Sequence, residues 1–206
     1  NPSLGEFVIA VLDYGSGNIR SAQRACESTG HETVITSNPA IALSADGLVV
    51  PGVGAFAACI NALRAIGGDQ VIEERIRHNR PVLGICVGMQ ILFQSSEEDH
   101  DQSSGLGYFN GRIKKLAHPV LPQVGWNSVE APSDSELFRS VSKESFYFVH
   151  SYAAINDEPD AKVTYAEHGS RFIAAIERGA VSAVQFHPEK SGRAGLQLIS
   201  QWAEKL

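Results

Sequence analysis

Cysteine is scarce in this chain. Cys26, Cys59 and Cys86 are too few and too scattered for a disulfide framework. Long apolar runs are missing too, and none approaches the roughly 20 residues that a membrane helix needs. Positive charge is not in excess: 17 Lys and Arg against 23 Asp and Glu leave a net charge of -6. That balance gives no electrostatic reason to expect nucleic acid or an anionic membrane as a partner. The opening stretch, 1–12, lacks a basic start and a small-residue cleavage site, so a signal peptide is not expected and the cytosol is the default compartment. Repeats, low-complexity tracts and linkers are absent. What remains is ordinary globular composition, 43% hydrophobic and 19% charged over 206 residues, enough for the core of one domain spanning 1–206.

Apolar runs alternate with helical patterns, which predicts an α/β domain with an open, mostly parallel sheet flanked by helices. Residues 7–12 read as a buried strand ending in the turn Asp13-Tyr14-Gly15-Ser16-Gly17. Asn18 is placed to cap a helix over 18–29, with Gly30 as its stop signal. Val34-Ile35 and Leu48-Val49-Val50 read as strands, the second ending in Pro51-Gly52-Val53-Gly54. Helices are predicted over 55–65 and 70–78, a buried strand over 81–85 and a helix over 86–93. Residues 105–116 look strand-like, 118–125 loop-like, and 134–138 form a short helix. Strands follow at 146–149, 162–167, 172–177 and 181–186, with a tight turn at Arg178-Gly179. Leu196, Ile199, Trp202 and Ala203 stand at helical spacing and predict a closing amphipathic helix over 192–205.

The strongest chemical signal is Gly84-Ile85-Cys86-Val87-Gly88, a reactive side chain between glycines after a strand and before a helix. That pattern describes a nucleophile elbow, a sharp turn that holds the thiol exposed and strained. A helix starting there offers N–H groups and a positive dipole end that favour a thiolate. Taken alone, it equally describes a buried structural cysteine beside a tight turn. His187-Pro188-Glu189 follows another strand, and an extended backbone through the proline puts His187 and Glu189 on one side. An imidazole backed by a carboxylate is what a cysteine nucleophile requires: it takes the thiol proton and returns it to the leaving amine. Pro51-Gly52-Val53-Gly54 is a candidate oxyanion loop offering the N–H of Val53, with the N–H of Val87 as second donor. A plain strand-to-helix turn fits that motif equally well.

Gly84-Ile85-Cys86-Val87-Gly88-Met89-Gln90 with His187-Pro188-Glu189 resembles the class I glutamine amidotransferases. Asp13-Tyr14-Gly15-Ser16-Gly17-Asn18, Pro51-Gly52-Val53-Gly54-Ala55-Phe56, Gly125-Trp126-Asn127, Tyr147-Phe148-Val149-His150-Ser151-Tyr152 and Gln185-Phe186-His187-Pro188-Glu189-Lys190-Ser191 extend the likeness along nearly the whole chain, toward the glutaminase subunits of imidazole glycerol phosphate synthases. The resemblance implies a flavodoxin-like architecture and hydrolysis of glutamine through a thioester on Cys86. It implies that the ammonia passes to a cyclase subunit with a (β/α)8 barrel fold, joined in a heterodimer of histidine biosynthesis, and that no cofactor or metal takes part. By the same likeness Gly52, Gln90, Glu98, Ser151 and Tyr152 contact glutamine, while Asn18, Trp126, Tyr147 and Lys190 lie near the subunit interface. One departure stands out: the family usually carries Pro-His-x-Gly-Trp-Asn, and here Gln123 replaces that histidine, which is expected near the interface.

Other signals carry less. Gly15-Ser16-Gly17 lacks the Lys-Ser/Thr or third glycine of a phosphate loop. His150, in an aromatic strand, reads as a hydrogen-bonded structural residue rather than a second base. His31, His78, His100, His118 and His168 show no metal-ligand spacing. Cys26 and Cys59 read as packed thiols. The cluster Glu97-Glu98-Asp99-His100-Asp101 reads as a solvated loop, with Glu98 still able to face substrate. Three rival readings stay open: the glutaminase of another synthase, a stand-alone cysteine hydrolase, and a non-catalytic binding module on the same scaffold.

Overall fold

Three strands whose every residue is buried form the middle of the molecule: β3 (Gly47–Gly52), β4 (Val82–Cys86) and β12 (Val181–Val184). Such strands, apolar on both faces, need helices on the sheet, and that is the parallel α/β arrangement. In the computed structural model, which describes residues 5–98, 100 and 103–206, they sit inside a seven-stranded sheet. Asp99 and Asp101 of the acidic cluster and the first four residues of the opening stretch lie outside the described residues.

The remaining sheet strands are β1 (Val8–Leu12), β2 (Glu32–Thr36), β10 (Lys162–His168) and β11 (Ser170–Arg178), giving the order β10-β11-β12-β4-β3-β1-β2. Pairing is parallel from β2 through β12 and antiparallel for β12–β11 and β11–β10. Two smaller sheets lie beside it. One joins β5 (Ser95–Ser96), β6 (Arg112–Lys115) and β9 (Tyr152–Ala154); the other pairs β7 (Gln123–Ser128) with β8 (Ser145–His150). The longer helices are α1 (Ile19–Glu27), α3 (Phe56–Ala65), α4 (Gly68–Arg77) and α6 (Gly192–Ala203). The register Gly52↔Cys86 and Val184↔Ile85 brings the carboxyl ends of β3, β4 and β12 side by side. Open α/β sheets bind their ligands at such ends.

Several local expectations are corrected. The helix after β4, α5 (Val87–Gln90), has only four residues instead of running over 86–93. The N–H groups of Leu92 and Phe93 turn instead to the carbonyls of Met89 and Gln90, three residues back, and N–H groups from residues 105–109 take the carbonyls of Ile91, Leu92, Phe93 and Gln94 as the chain leaves the helix. The same docking keeps 105–111 out of strand geometry and leaves only β6 of the expected 105–116 strand. Residues 134–138 make turns rather than a helix. The buried carboxylate of Glu177 accepts the N–H groups of Glu136 and Leu137 and the Ser135 hydroxyl, which fixes a loop. Residues 123–125, expected in a loop, open β7. Asn18 occupies the cap position of α1, but its side chain makes no capping bond, and the helix ends at Glu27. In α6 the inward stripe is Leu198, Ile199 and Trp202, while Leu196 is 37% exposed. A helix the sequence reading overlooked is α2 (Pro39–Ser44): Asn38 caps it by accepting the Ala40 N–H at 2.9 Å, with Pro39 in the first turn.

Candidate active site

Cys86 ends β4 with φ 57° and ψ -114°, a conformation that non-glycine residues rarely adopt. The flanking glycines do not supply the turn, because the cysteine itself takes the positive φ. They are needed for close approach: a Cβ at Gly88 would lie 1.9 Å from the Val50 carbonyl oxygen, and one at Gly84 would lie 2.7 Å from that of Gly88. Strain at Cys86 is thus held in place by β3 packing tightly on the turn. With a single helical turn following, the activating groups are local N–H donors and side chains rather than a long dipole.

His187 follows β12, and Glu189 meets it through Nδ1···Oε1 at 2.6 Å. Both side chains are almost wholly buried, 4% and 3% exposed. The chain does not stay extended through Pro188, as the sequence implied; Pro188–Lys190 is a 3-10 turn. Proline suits the first position of such a turn, and the turn rather than strand alternation swings Glu189 back to the ring. The backbone is pinned from β8: the His187 N–H donates to the Tyr147 carbonyl at 2.9 Å. Ser191 accepts the Tyr147 N–H at 3.0 Å and donates its hydroxyl to the His187 carbonyl at 2.6 Å. Burial works against a charge on the ring, yet hydrogen bonds to Cys86 and Glu189, and the negative charge of both, outweigh it and push the His187 pKa up to about 10. A cationic imidazole in hydrogen-bond reach of the sulfur favours the nucleophilic thiolate.

Cys86 and His187 open into a cavity of about 440 Å³, a size suited to a small metabolite. Gln90, Glu98, Ser151 and Tyr152 line it, as do Val53, Val87 and Lys190. Gly52 does not; it is buried in β3 directly beside Cys86. Of the residues the resemblance places at an interface, Trp126 is 59% exposed and packs edge-on against Tyr147, with ring centroids 5.9 Å apart. Asn18 lies at the start of α1, away from the cavity lining. Gln123 is not at the surface. It is 6% exposed, and its side chain meets Nε2 of His150 at 2.7 Å. Burial pushes the His150 pKa down to about 4, so this ring is neutral near neutral pH and no second base.

The loop Pro51-Gly52-Val53-Gly54, the candidate for an oxyanion loop, is held by side chains to which sequence motifs assign no such part. The Val53 N–H donates to Oγ of Ser16 at 3.1 Å, the Ser16 hydroxyl reaches the Val53 carbonyl at 3.0 Å, and the Cys59 thiol donates to the same carbonyl at 3.1 Å. The Tyr14 hydroxyl donates to the Pro51 carbonyl. Gln185 is another residue that motif reading misses, although it stands two positions before His187, the spacing that puts side chains on one side of an extended chain. It is fully buried, and its Nε2 lies 3.7 Å from the Cys86 sulfur.

The family described as glutamine amidotransferase class-I matches residues 10–205. The chain is 52% identical over 205 residues to the imidazole glycerol phosphate synthase subunit HisH of Leifsonia xyli subsp. xyli, covering 96% of this chain and 98% of that one. It is 53% identical over 201 residues to the protein of the same name from Mycolicibacterium paratuberculosis, with the same coverage. Among solved structures, a glutamine amidotransferase crystal structure superposes with a TM-score of 0.77 at 19% identity, over 96% of this chain and 97% of that one. The structure of PurLQS from Thermotoga maritima gives 0.74 at 18% identity, over 96% and 97%. At those identities the superpositions speak for the fold alone, an α/β layer structure shared beneath divergent sequences. The family match over nearly the whole length and the close sequence relatives carry the assignment further: this chain belongs to the class I glutamine amidotransferases.

Proposed function

We propose that the chain is the glutaminase subunit of an imidazole glycerol phosphate synthase, with residues 1–206 acting as one glutamine amidotransferase domain. The observation that carries this reading is the meeting of Cys86 and His187 on one small-molecule cavity, with Glu189 bonded to the imidazole, in a chain over half identical to subunits named for that synthase. Cys86 attacks the carboxamide carbon of glutamine, and the developing oxyanion is met by the N–H of Val87 and, once freed from Ser16, that of Val53. His187 delivers a proton to the departing ammonia, then takes one from the water that cleaves the thioester to glutamate. Glu189 fixes the ring tautomer and balances its charge. Gln90, Glu98, Ser151 and Tyr152 hold the amino-acid end of the substrate, while Gly52 acts from behind, in β3 next to Cys86.

The ammonia passes to a (β/α)8 cyclase subunit, the partner in a heterodimer, and histidine biosynthesis is the pathway served. The exposed Trp126, backed by Tyr147, Lys190 on the cavity wall and Asn18 at the start of α1 are the contact points in this reading. The test is glutamate release from glutamine by the purified chain, alone and with a cognate cyclase and its nucleotide substrate. Slow turnover alone and a large rise in the complex is the expected result. Full activity alone, or indifference to the cyclase, overturns the partner assignment.

A further inference from the structure

Gln185 and Gln90 form a buried pair of carboxamides beneath the cavity, 0% and 3% exposed. A carboxamide offers an acceptor at one end and donors at the other, so its direction must follow from its neighbours. Here one neighbour leaves no choice. The Tyr152 carbonyl, which only accepts, lies 3.0 Å from the Gln90 side chain, so the NH2 group of Gln90 faces it. That same NH2 lies 3.0 Å from Gln185, which must therefore present its oxygen, Oε1. The other end of Gln185 is then its NH2, and it points at Cys86 Sγ from 3.7 Å. Reversing either amide sets donor against donor or acceptor against acceptor between buried groups, at the cost of an unsatisfied polar group.

We propose that Gln185 is a further positioning residue of the glutaminase: an N–H donor aimed at the Cys86 sulfur, with its direction set by the Tyr152 carbonyl through Gln90. The inference rests on the reading of Cys86 as the nucleophile. His187 and Gln185 then contact the sulfur from two side chains, one cationic and one neutral. A neutral donor does not titrate, so it favours the thiolate of the unacylated site whatever the charge on the imidazole, and again when the thioester is cleaved and the sulfur departs. Because Gln90 and Tyr152 also line the cavity, the chain ties the sulfur to groups that face a bound ligand.

The experiment compares iodoacetamide alkylation of Cys86 in wild type, Gln185→Met and Gln90→Met, from pH 6 to pH 10. Gln185→Met keeps the size and removes the donor. Alkylation about tenfold slower near pH 7, converging on wild type at the alkaline end, is the expected result. Gln90→Met, which frees the Gln185 amide to reverse, shows the same shape with a smaller deficit. Equal rates at pH 7, or a deficit constant across the pH range, overturn the proposal, because lost access or packing slows alkylation at every pH. Protection of the buried thiols Cys26 and Cys59 reports whether each variant is folded. Should Gln185→Met lose that protection, Gln90→Met decides alone. Alkylation requires no glutamine turnover, so an inert wild type in the glutamate assay defeats the functional reading and leaves this test standing.

Discussion

Ser16 and Val53 hold each other twice: the Val53 N–H donates to the Ser16 oxygen at 3.1 Å, and the Ser16 hydroxyl reaches the Val53 carbonyl at 3.0 Å. An N–H engaged in this way cannot also serve an oxyanion, so one of the two proposed donors is withheld. Ser16→Ala removes the acceptor and leaves the loop backbone intact. Glutamine hydrolysis by the chain without its partner is expected to rise about three- to tenfold, the worth of one ordinary hydrogen bond. Stimulation by the partner is expected to shrink accordingly. A basal rate at or below wild type in the glutamate assay refutes the latch.

Protonation of His187 links the site to folding. In the unfolded chain a histidine titrates near about 6.5, whereas in the folded protein the ring is held up to about 10. Between those values the folded state binds the extra proton, so the stabilisation is complete below about pH 6.5 and is lost as pH climbs toward 10. Urea unfolding at pH 7 and at pH 10 is therefore expected to show a larger loss for wild type than for His187→Gln. Parallel losses in the two proteins contradict the ion-pair account.

Arg75 is a separate, purely structural prediction. Its guanidinium is fully buried and donates to the carbonyls of Ala42, Leu43, Ala45, Asp46 and Pro81, tying the end of α2 to the approaches of β3 and β4. Burial, and then like-charged Arg80, push its pKa down to about 10, which leaves it charged at neutral pH. Arg75→Met removes a donor from each of those carbonyls, leaving Ala45 with Arg80 and Pro81 with the Leu48 N–H, and is expected to cost about 3 kcal/mol in urea unfolding. Arg75→Lys should recover only part, since one ammonium cannot span five acceptors. A loss below about 1 kcal/mol for Arg75→Met contradicts this role.

What the sequence made legible follows the range of each interaction. Cys86 between glycines and His187 before Pro188-Glu189 are readable because each motif is local, and the strands that carry them are unbroken apolar runs. The brevity of α5 is not readable: the N–H groups of Leu92 and Phe93 turn to carbonyls three residues back, and residues 105–109, outside the local sequence, dock on the carbonyls that follow. Glu177 reshaping residues 134–138 from 40 or so positions away is the same kind of event. Gln123 stands out in the sequence as a departure, but its burial does not: strand alternation in β7 turns it inward to His150 while Val124 and Trp126 face out. Asn38-Pro39 is the exception. That capping signal is local and open to reading from the sequence alone.

Trp126 offers the most direct test of the partner surface. A side chain of that size left 59% exposed contributes little to the fold, and its neighbours Val124 and Val120 are 60% and 65% exposed. Apolar groups clustered in this way mark contact surfaces, and a tryptophan at the centre of one commonly dominates the binding energy. Tyr147 backs Trp126 through an edge-on contact and also carries the carbonyl that holds the His187 N–H. Trp126→Ala is therefore expected to weaken binding of the cyclase by about 2 kcal/mol, roughly 30-fold, by titration calorimetry. Thermal stability of the free chain and its unstimulated glutaminase rate should stay near wild type. Unchanged affinity places the partner elsewhere on the molecule. A large drop in free-chain stability instead makes Trp126 part of the fold, with β7 and β8 leaning on it.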